Sequence, residues 1–451
     1  MNAEIITIGD ELLRGEIVDS NKARIAERLL LLDLDCRYQV SVLDDPADMR
    51  DAFLRAAGRS DFVLVSGGLG PTRDDLTTEV LAQTWNLELE LDAKSLEAIE
   101  AFFARVGREM AEVNRKQAYF PAGADVLANP IGTAPGFSLR VGKAVFFAMP
   151  GVPRELDLMM DEQVLPRIER NLTGRPPESD GSEGASPEQV FAPRRVVRAA
   201  LLRTFGMGES TLEAELLDFA RDGSVELGYR TSFPDNFLRP VARAATAEEA
   251  DARIEEAKRA IVEQLGPIVY GEGADTMESV VGRMLRERKQ TISTAESCTG
   301  GLIAERITDV PGSSEYFLGG VVSYSNAAKS SILGVPEDVI AREGAVSEPV
   351  VRAMAEAARS RFGSDYAVAT SGISGPGGGT ETKPVGLVWI ALATAENTHA
   401  DSFVFQVDRT RHRSLTTQVA LDWVRRSMLG AELIGPSLMR KSGGDSTPGK
   451  G

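Results

Sequence analysis

Residues 61–75 run Asp61-Phe62-Val63-Leu64-Val65-Ser66-Gly67-Gly68-Leu69-Gly70-Pro71-Thr72-Arg73-Asp74-Asp75. A short, unbroken apolar run that ends in glycines and gives way to a helical pattern (76–86) reads as a strand buried on both faces, since a half-exposed strand would alternate with polar residues. Two similar runs, 4–8 and 144–148, alternate with helical patterns at 21–31, 47–57 and 153–170. Residues 1–172 therefore predict a parallel or mostly parallel sheet covered by helices on both sides.

The remaining chain divides around polar stretches. With 451 residues in all, about three domains are expected. Residues 173–193 (TGRPPESDGSEGASPEQVFAP) are rich in Pro, Gly, Ser and Glu and read as a disordered linker, and 435–451 read as a disordered tail. Between them, 194–270 give the order β-α-β-β-α-β (195–202, 209–220, 224–230, 237–244, 247–265, 268–270), a split βαβ module with no catalytic cluster. It reads as a spacer or dimerisation unit. Residues 276–430 return to α/β alternation: helix 277–288, strands at 291–294, 319–324, 366–371, 386–393 and 401–405, and a last helix over 413–429.

Composition excludes several chemistries. The two histidines, His399 and His412, both lie late in the chain, so no imidazole triad or zinc site is available before them. Cys36 and Cys298 cannot build a disulfide framework, which suits a reducing, cytoplasmic compartment. No signal peptide is expected from the start of the chain, and no run of about 18 apolar residues offers a membrane span. With 67 acidic against 50 basic residues the formal charge is −17, which disfavours nonspecific binding to nucleic acid or anionic lipid. Anionic small molecules remain open, held by local arginines, lysines and backbone amides.

In open α/β sheets, chemistry gathers at the carboxyl ends of strands. The first run ends in Gly9-Asp10-Glu11 and the one at 61–66 ends in the glycine turn. Gly67, Gly68 and Gly70 let the backbone fold tightly and bring amides against an anion, and a helix N-terminus aimed at the same point adds positive charge. Thr72 can cap that helix and donate to a phosphate. These residues and Asp74 are the expected nucleotide or phosphate contacts. Asp10, Glu11 and Asp75 are the expected ligands of a divalent metal, magnesium by preference, which takes few protein ligands and keeps waters and phosphate oxygens. The plainer readings are a tight strand–helix turn and acids complementing a helix dipole. Loops 129–136 and 149–155, dense in Gly and Pro, suggest a lined cleft.

The strand at 291–294 runs into Ala295-Glu296-Ser297-Cys298-Thr299-Gly300-Gly301. A serine on such a turn can sit beside free N–H groups, here those of Cys298–Gly301, the ingredients of an oxyanion hole. It needs a base, and histidine is scarce; the candidate is Lys329 in Tyr324-Ser325-Asn326-Ala327-Ala328-Lys329. An ordinary lysine, with a pKa of about 10.4, is almost entirely charged at neutral pH. Burial has to bring it down by roughly 3 pH units, about 4 kcal/mol, for it to serve as base. Cys298 is the rival nucleophile, and a solvated helix lysine is the plainer reading of Lys329. The loop from Ser371 through Ser374, Gly375 and Gly377–Gly379 reads as ligand-approaching. Arg409, Arg411 and Arg413 can hold a phosphate or carboxylate. His412 is expected at the surface.

Taken in order, GDELLRGEIVDSN (9–21), SGGLGPTRDDLT (66–77), AMPGVPREL (148–156), TAESCTGG (294–301), YSNAAK (324–329), GAVSE (344–348) and KPVGLVW (383–389) resemble the CinA (competence/damage-inducible protein A) family over residues 1–430. The resemblance implies an α/β chain with a MoaB/MogA-like three-layer N-terminal domain, a small KH-like α+β middle module and a C-terminal nicotinamide-nucleotide amidohydrolase domain. It implies deamidation of nicotinamide mononucleotide by Ser297 with Lys329, assisted by Tyr324 and an arginine, Arg409 or Arg413, without a cofactor. It also implies metal-dependent ADP-ribose pyrophosphatase activity at the N-terminal site. Thr299, Gly300, Gly301, Ser374 and Gly375 would line the amidohydrolase site. Ser20 stands where threonine is usual and Ser374 where alanine is common. No GxxG loop occurs within 194–270, so nucleic acid is not an expected partner; small nucleotides and a second copy of the chain, as a homodimer, are. The alternatives are a molybdopterin-type ligand-binding or nucleotidyl-transferring protein, and a non-catalytic competence-related scaffold.

Overall fold

A computed structural model describes residues 1–173, 195–219 and 223–436. All but the first residue of the expected linker, and the tail from 437 onward, lie outside the described residues. The chain forms two compact units, one of Met1–Arg198 with Arg243–Ala250, the other of Ala199–Ala242 with Asp251–Gly451.

In the first unit, in chain order, β1 (Asn2–Ile8), α1 (Asp10–Leu13), α2 (Ser20–Leu31), β2 (Asp35–Val42), α3 (Pro46–Arg59), β3 (Phe62–Ser66) and α4 (Thr77–Thr84) come first. Then follow β4 (Leu89–Leu91), α5 (Ala93–Arg105), β5 (Tyr119–Pro121), β6 (Asp125–Leu127), β7 (Gly136–Val141), β8 (Ala144–Met149), α6 (Pro153–Met159), α7 (Leu165–Thr173) and β9 (Val196–Ala199). The main sheet runs β2-β1-β3-β8-β7-β6; β2, β1, β3 and β8 are parallel, and β7 and β6 add antiparallel strands at one edge. Unbroken apolar strands are needed because both faces are covered. Ile6, Ile8, Val63, Val65 and Phe146 pack with Met49 and Phe53 of α3 on one side, and Ile5, Leu64 and Phe147 pack with Ile25 and Leu29 of α2 on the other. Each such fully buried side chain contributes about 1.5–3 kcal/mol. Asp45 caps α3, accepting from the N–H of Ala47 (2.9 Å) and of Asp48 (3.1 Å), with Pro46 in the first turn.

Two expectations change here. The helix expected over 153–170 is interrupted by a π-turn at Met160–Val164, next to Pro166, which has no N–H to continue the ladder. The edge strand β2 (DCRYQVSV), too polar to stand out by pattern, is an additional element.

The second unit opens with β10 (Leu202–Thr204), α8 (Glu209–Glu215), β11 (Val225–Ser232), β12 (Asp235–Ala244), α9 (Ala247–Leu265) and β13 (Val269–Glu272), in a sheet ordered β11-β12-β10-β13. The run expected as one strand at 195–202 is divided between β9 and β10. Next come α10 (Met277–Arg288), β14 (Ile292–Glu296), α11 (Leu302–Thr308), β15 (Phe317–Val322), α12 (Asn326–Leu333), α13 (Glu337–Glu343) and α14 (Glu348–Phe362). β16 (Tyr366–Gly372), β17 (Leu387–Ala393), β18 (Thr398–Val404) and α15 (Arg409–Met428) complete the unit. The sheet is β15-β14-β16-β17-β18, parallel across the first three and antiparallel beyond.

The period of two in its strands sorts side chains by size. Ala295, Ala367, Ala369, Ala391 and Ala393 face α14, whose Val350, Val351, Met354, Ala355 and Ala358 pack against them. Val368, Ile390 and Leu392 face the opposite side with α10, α11 and α15. α15 starts at Arg409, four residues earlier than expected, because Asp408 caps it by accepting from Arg411 N–H (3.0 Å).

Candidate active site

β14 runs into the turn that carries the candidate nucleophile, Ser297. Ser297 N–H donates to Thr370 O (3.0 Å), so the ladder continues one residue past the strand and fixes where the serine leaves it. Gly300 (φ +62°) and Gly301 (φ +97°) then take left-handed backbone that other residues resist, which lets α11 begin at once.

Lys329 comes from α12, whose Ser325 cap (Oγ to Ala328 N–H, 3.1 Å) starts the helix one turn earlier. Its side chain is 1% exposed, and Nζ donates to Ser297 Oγ (2.9 Å) and to Ser323 O (2.8 Å). Burial holds its pKa below the ordinary lysine value. The dyad expected from the sequence is thus assembled, on a serine that is itself 8% exposed. Cys298 is set aside as nucleophile: full burial pushes its thiol up to about 12, so it stays protonated.

The expected oxyanion amides need correction. Glu296, 0% exposed, accepts from the N–H groups of Gly301 (2.9 Å), Ile303 (3.1 Å) and Ala304 (2.9 Å). Gly300 N–H donates to Ser297 O (3.1 Å). The start of α11 is therefore satisfied by the protein's own carboxylate, and only the Cys298 and Thr299 amides of the turn lack an acceptor among the described residues. Thr299 Oγ1 pairs with Thr370 Oγ1 (2.7 Å). Glu296 was legible as part of the motif but not in this role.

The arginines separate by partner. Arg413 Nε and Nη2 both donate to Thr299 O (3.1 and 2.7 Å), bracing the nucleophile turn. Arg409 donates from Nη1 to Gly375 O and from Nη2 to Tyr324 Oη, each at 3.0 Å. Tyr324 is largely exposed. Arg411 points away, over the Phe233 ring and toward Asp408. His412, expected at the surface, is instead fully buried, with Nδ1 2.9 Å from Ser374 Oγ and Nε2 3.1 Å from Gly386 O. Ser374 and Gly375 are buried as well, while residues 376–382 are exposed.

In the first unit, Gly67 has φ +111°, and a Cβ there would run into Ile8 O, so the turn closes directly over β1. Thr72 does not cap the following helix. α4 begins at Thr77, which donates from Oγ1 to Gly67 O (2.8 Å) and from N–H to Gly68 O (3.1 Å). Pro71 and a short turn intervene, in which Thr72 N–H (2.8 Å) and Thr72 Oγ1 donate back to Asp75 Oδ2. The amides of Gly68, Leu69 and Gly70 have no acceptor among the described residues.

Asp75, held by Thr72, does not join Asp10 and Glu11, and among the described residues no three carboxylate, cysteine or histidine side chains are gathered to hold a metal ion. Asp10 and Asp44 instead bond each other's backbone: Asp10 N–H to Asp44 Oδ2 (2.9 Å) and Asp44 N–H to Asp10 Oδ1 (3.1 Å). Burial, with the negative charges of Asp10, Glu11 and Asp74, holds the Asp44 carboxyl above its ordinary pKa. Asp44 escaped sequence reading because it reaches Asp10 only through the β1–β2 pairing. Asn21, which closes the 9–21 motif, donates to Ser66 Oγ (3.0 Å) and Gly151 O (2.7 Å), tying α2 to β3 and to the 149–155 loop. Loop 129–135 forms one wall of a cavity of about 700 Å³, with Ile99 and Phe102 also lining it. No helix among the described residues is long and apolar enough to cross a membrane.

Three protein families match the chain: "CinA C-terminal domain" over 274–428, "Probable molybdopterin binding domain" over 4–170 and "Damage-inducible protein CinA KH domain" over 200–271. A CinA-like protein of Citrifermentans bemidjiense is 43% identical over 431 residues, covering 95% of this chain and 98% of that protein. One from Geobacter sulfurreducens is 41% identical over 432 residues, covering 96% and 100%. A crystal structure of CinA from Thermoplasma acidophilum is 34% identical over 37% of this chain and 96% of that one, with a TM-score of 0.35.

Proposed function

The chain belongs to the CinA family, and on that premise we propose that its C-terminal domain deamidates nicotinamide mononucleotide to nicotinate mononucleotide and ammonia. The observation that carries this reading is a lysine almost wholly removed from water, its pKa lowered, 2.9 Å from a serine hydroxyl. Neutral Lys329 keeps one N–H on Ser323 O and turns its lone pair to Ser297. As the Ser297 Oγ–carbon bond forms, the hydroxyl proton passes to Nζ and the amide carbonyl becomes an oxyanion facing the Cys298 and Thr299 amides. The tetrahedral adduct collapses, the C–N bond breaks, and Lys329 returns its proton to the departing ammonia. Water then cleaves the ester with Lys329 again as base, releasing the acid and free Ser297. Arg409, not held by the nucleophile turn as Arg413 is, is the arginine suited to the 5′-phosphate. In the full-length protein, Ser297→Ala should abolish ammonia release from nicotinamide mononucleotide while leaving the circular dichroism spectrum and unfolding midpoint in place. Deamidation retained by that variant would overturn the assignment.

For the N-terminal domain the proposal is hydrolysis of the pyrophosphate of ADP-ribose. The unsatisfied amides of Gly68, Leu69 and Gly70 support a phosphate there. No three carboxylates are gathered among the described residues, so a divalent cation, if bound, would draw most of its ligands from water and the substrate phosphates, with Asp10 and Glu11 as the neighbouring carboxylates. When bound, such an ion would neutralise the pyrophosphate. Cleavage that persists in excess chelator would contradict it. A pterin phosphate would suit the same amides, and pterin fluorescence copurifying with the protein would favour that second reading.

A further inference from the structure

We propose that Ser374 and His412 form a positioning pair that holds the neck of the 374–385 loop and, through it, the Arg409 guanidinium at the anion-binding edge of the site. The geometry stands by itself; only the choice of substrate rests on the deamidase reading.

The loop leaves and re-enters the sheet through a closed neck, where Ile373 N–H donates to Leu387 O (2.8 Å) and Gly386 N–H to Ile373 O (2.7 Å). His412 spans that neck. A carbonyl oxygen can only accept, so Gly386 O requires the ring proton on Nε2 (3.1 Å). Nδ1 is then a bare acceptor, and the Ser374 hydroxyl, 2.9 Å away, donates to it. The ring is fully buried and meets Phe405 edge-on at 5.8 Å, so it has no freedom to turn.

Arg409 lies three residues before His412 on α15, hence on the same face of its first turn. Its Nη1 donates to the carbonyl of Gly375, the residue after Ser374, and its Nη2 to Tyr324 Oη. One helical turn thus grips two consecutive loop residues and the opposite side of the neck. An apolar side chain at 412 could fill the space, but only directional bonds fix the azimuth of the loop and so of Gly375 O.

The test uses the full-length protein with two substrates carrying the same carboxamide, nicotinamide mononucleotide and its dephosphorylated nucleoside. Ser374→Ala should raise KM for the mononucleotide about 5-fold to 10-fold, the loss of roughly one hydrogen bond, with kcat within about 2-fold and the nucleoside KM unchanged. His412→Phe should act in the same direction and more strongly, and Ser374→Thr should restore the wild-type ratio. Hydrogen exchange at 373–380 should quicken in Ser374→Ala. A merely structural pair would lower the unfolding midpoint and leave the ratio of the two KM values alone, and that result overturns the proposal. If the wild type deamidates neither substrate, the functional reading fails, and the exchange data alone decide the pair: faster exchange upholds it and unchanged exchange overturns it.

Discussion

Two turns of similar design, a parallel strand running into glycines ahead of a helix, meet carboxylates in opposite ways. After β3, Asp74 stays exposed, Asp75 accepts from Thr72, and the Gly68, Leu69 and Gly70 amides are left without acceptors among the described residues. After β14, a single carboxylate, Glu296, is buried and takes up the first amides of α11. Among the described residues, the first turn leaves three consecutive amides open; the second has its helix-start amides taken up internally and leaves open only those of Cys298 and Thr299, beside Ser297. A glycine-rich strand–helix turn is therefore no single kind of site, and which kind it is depends on whether the protein has already supplied the anion.

Substitutions that exchange these roles should break the contrast. The largest effect belongs to Lys329→Met. Loss of the base should reduce ammonia release by about 10²–10⁴-fold in single-turnover assays, while the unfolding midpoint at neutral pH holds or rises, since a buried amine is removed. Glu296→Gln comes next. It replaces one accepting oxygen by a donor facing N–H groups, and chemical denaturation should show about 1.5–3 kcal/mol of lost stability together with reduced kcat. In the other turn, Gly67→Ala forces strained backbone and a clash with Ile8 O. About 1–3 kcal/mol of destabilisation is expected, with ADP-ribose no longer protecting the domain and ammonia release untouched.

The smallest effect is a pH slope. The folded pKa of Lys329 lies below its unfolded value, so between the two the unfolded chain binds more protons and stability rises with pH. Below the folded pKa the full desolvation penalty is present. Denaturant midpoints measured up to the ordinary lysine range should carry this upward contribution in the wild type and lack it in Lys329→Met, and the rate of deamidation should climb at the lower edge of that window, around the folded pKa, and then level off. A flat difference between the two proteins would mean that Lys329 is not depressed.

Much of this was legible in the sequence wherever it depended on runs and turns. The apolar strands before Gly67 and before Ser297 carried the fold, and the scarcity of histidine directed attention to Lys329. What escaped was held by contacts across long separations or by polar groups that satisfy one another. β2 alternates weakly because it is an edge strand, so Asp44 was not placed beside Asp10. α15 carries many charged residues. Its Asp422, Arg425 and Arg426 are nevertheless buried, because the carboxylate accepts from both guanidiniums at 2.6 Å, and His412 is buried because Ser374 and Gly386 take both ring nitrogens. Hydrophobic pattern reports burial only for residues that lack partners of their own.

The silenced thiol beside the nucleophile has a practical side. Cys298 is buried and protonated, and Cys36, the other thiol, is also pushed up by partial burial. Thiolate-seeking electrophiles and oxidants thus find little to attack next to the reactive serine. Covalent probing can be split by chemistry in the folded protein: acylating reagents would address Ser297, maleimides would reach Cys36 only slowly, and a maleimide signal from Cys298 would become a clock for opening of the C-terminal core.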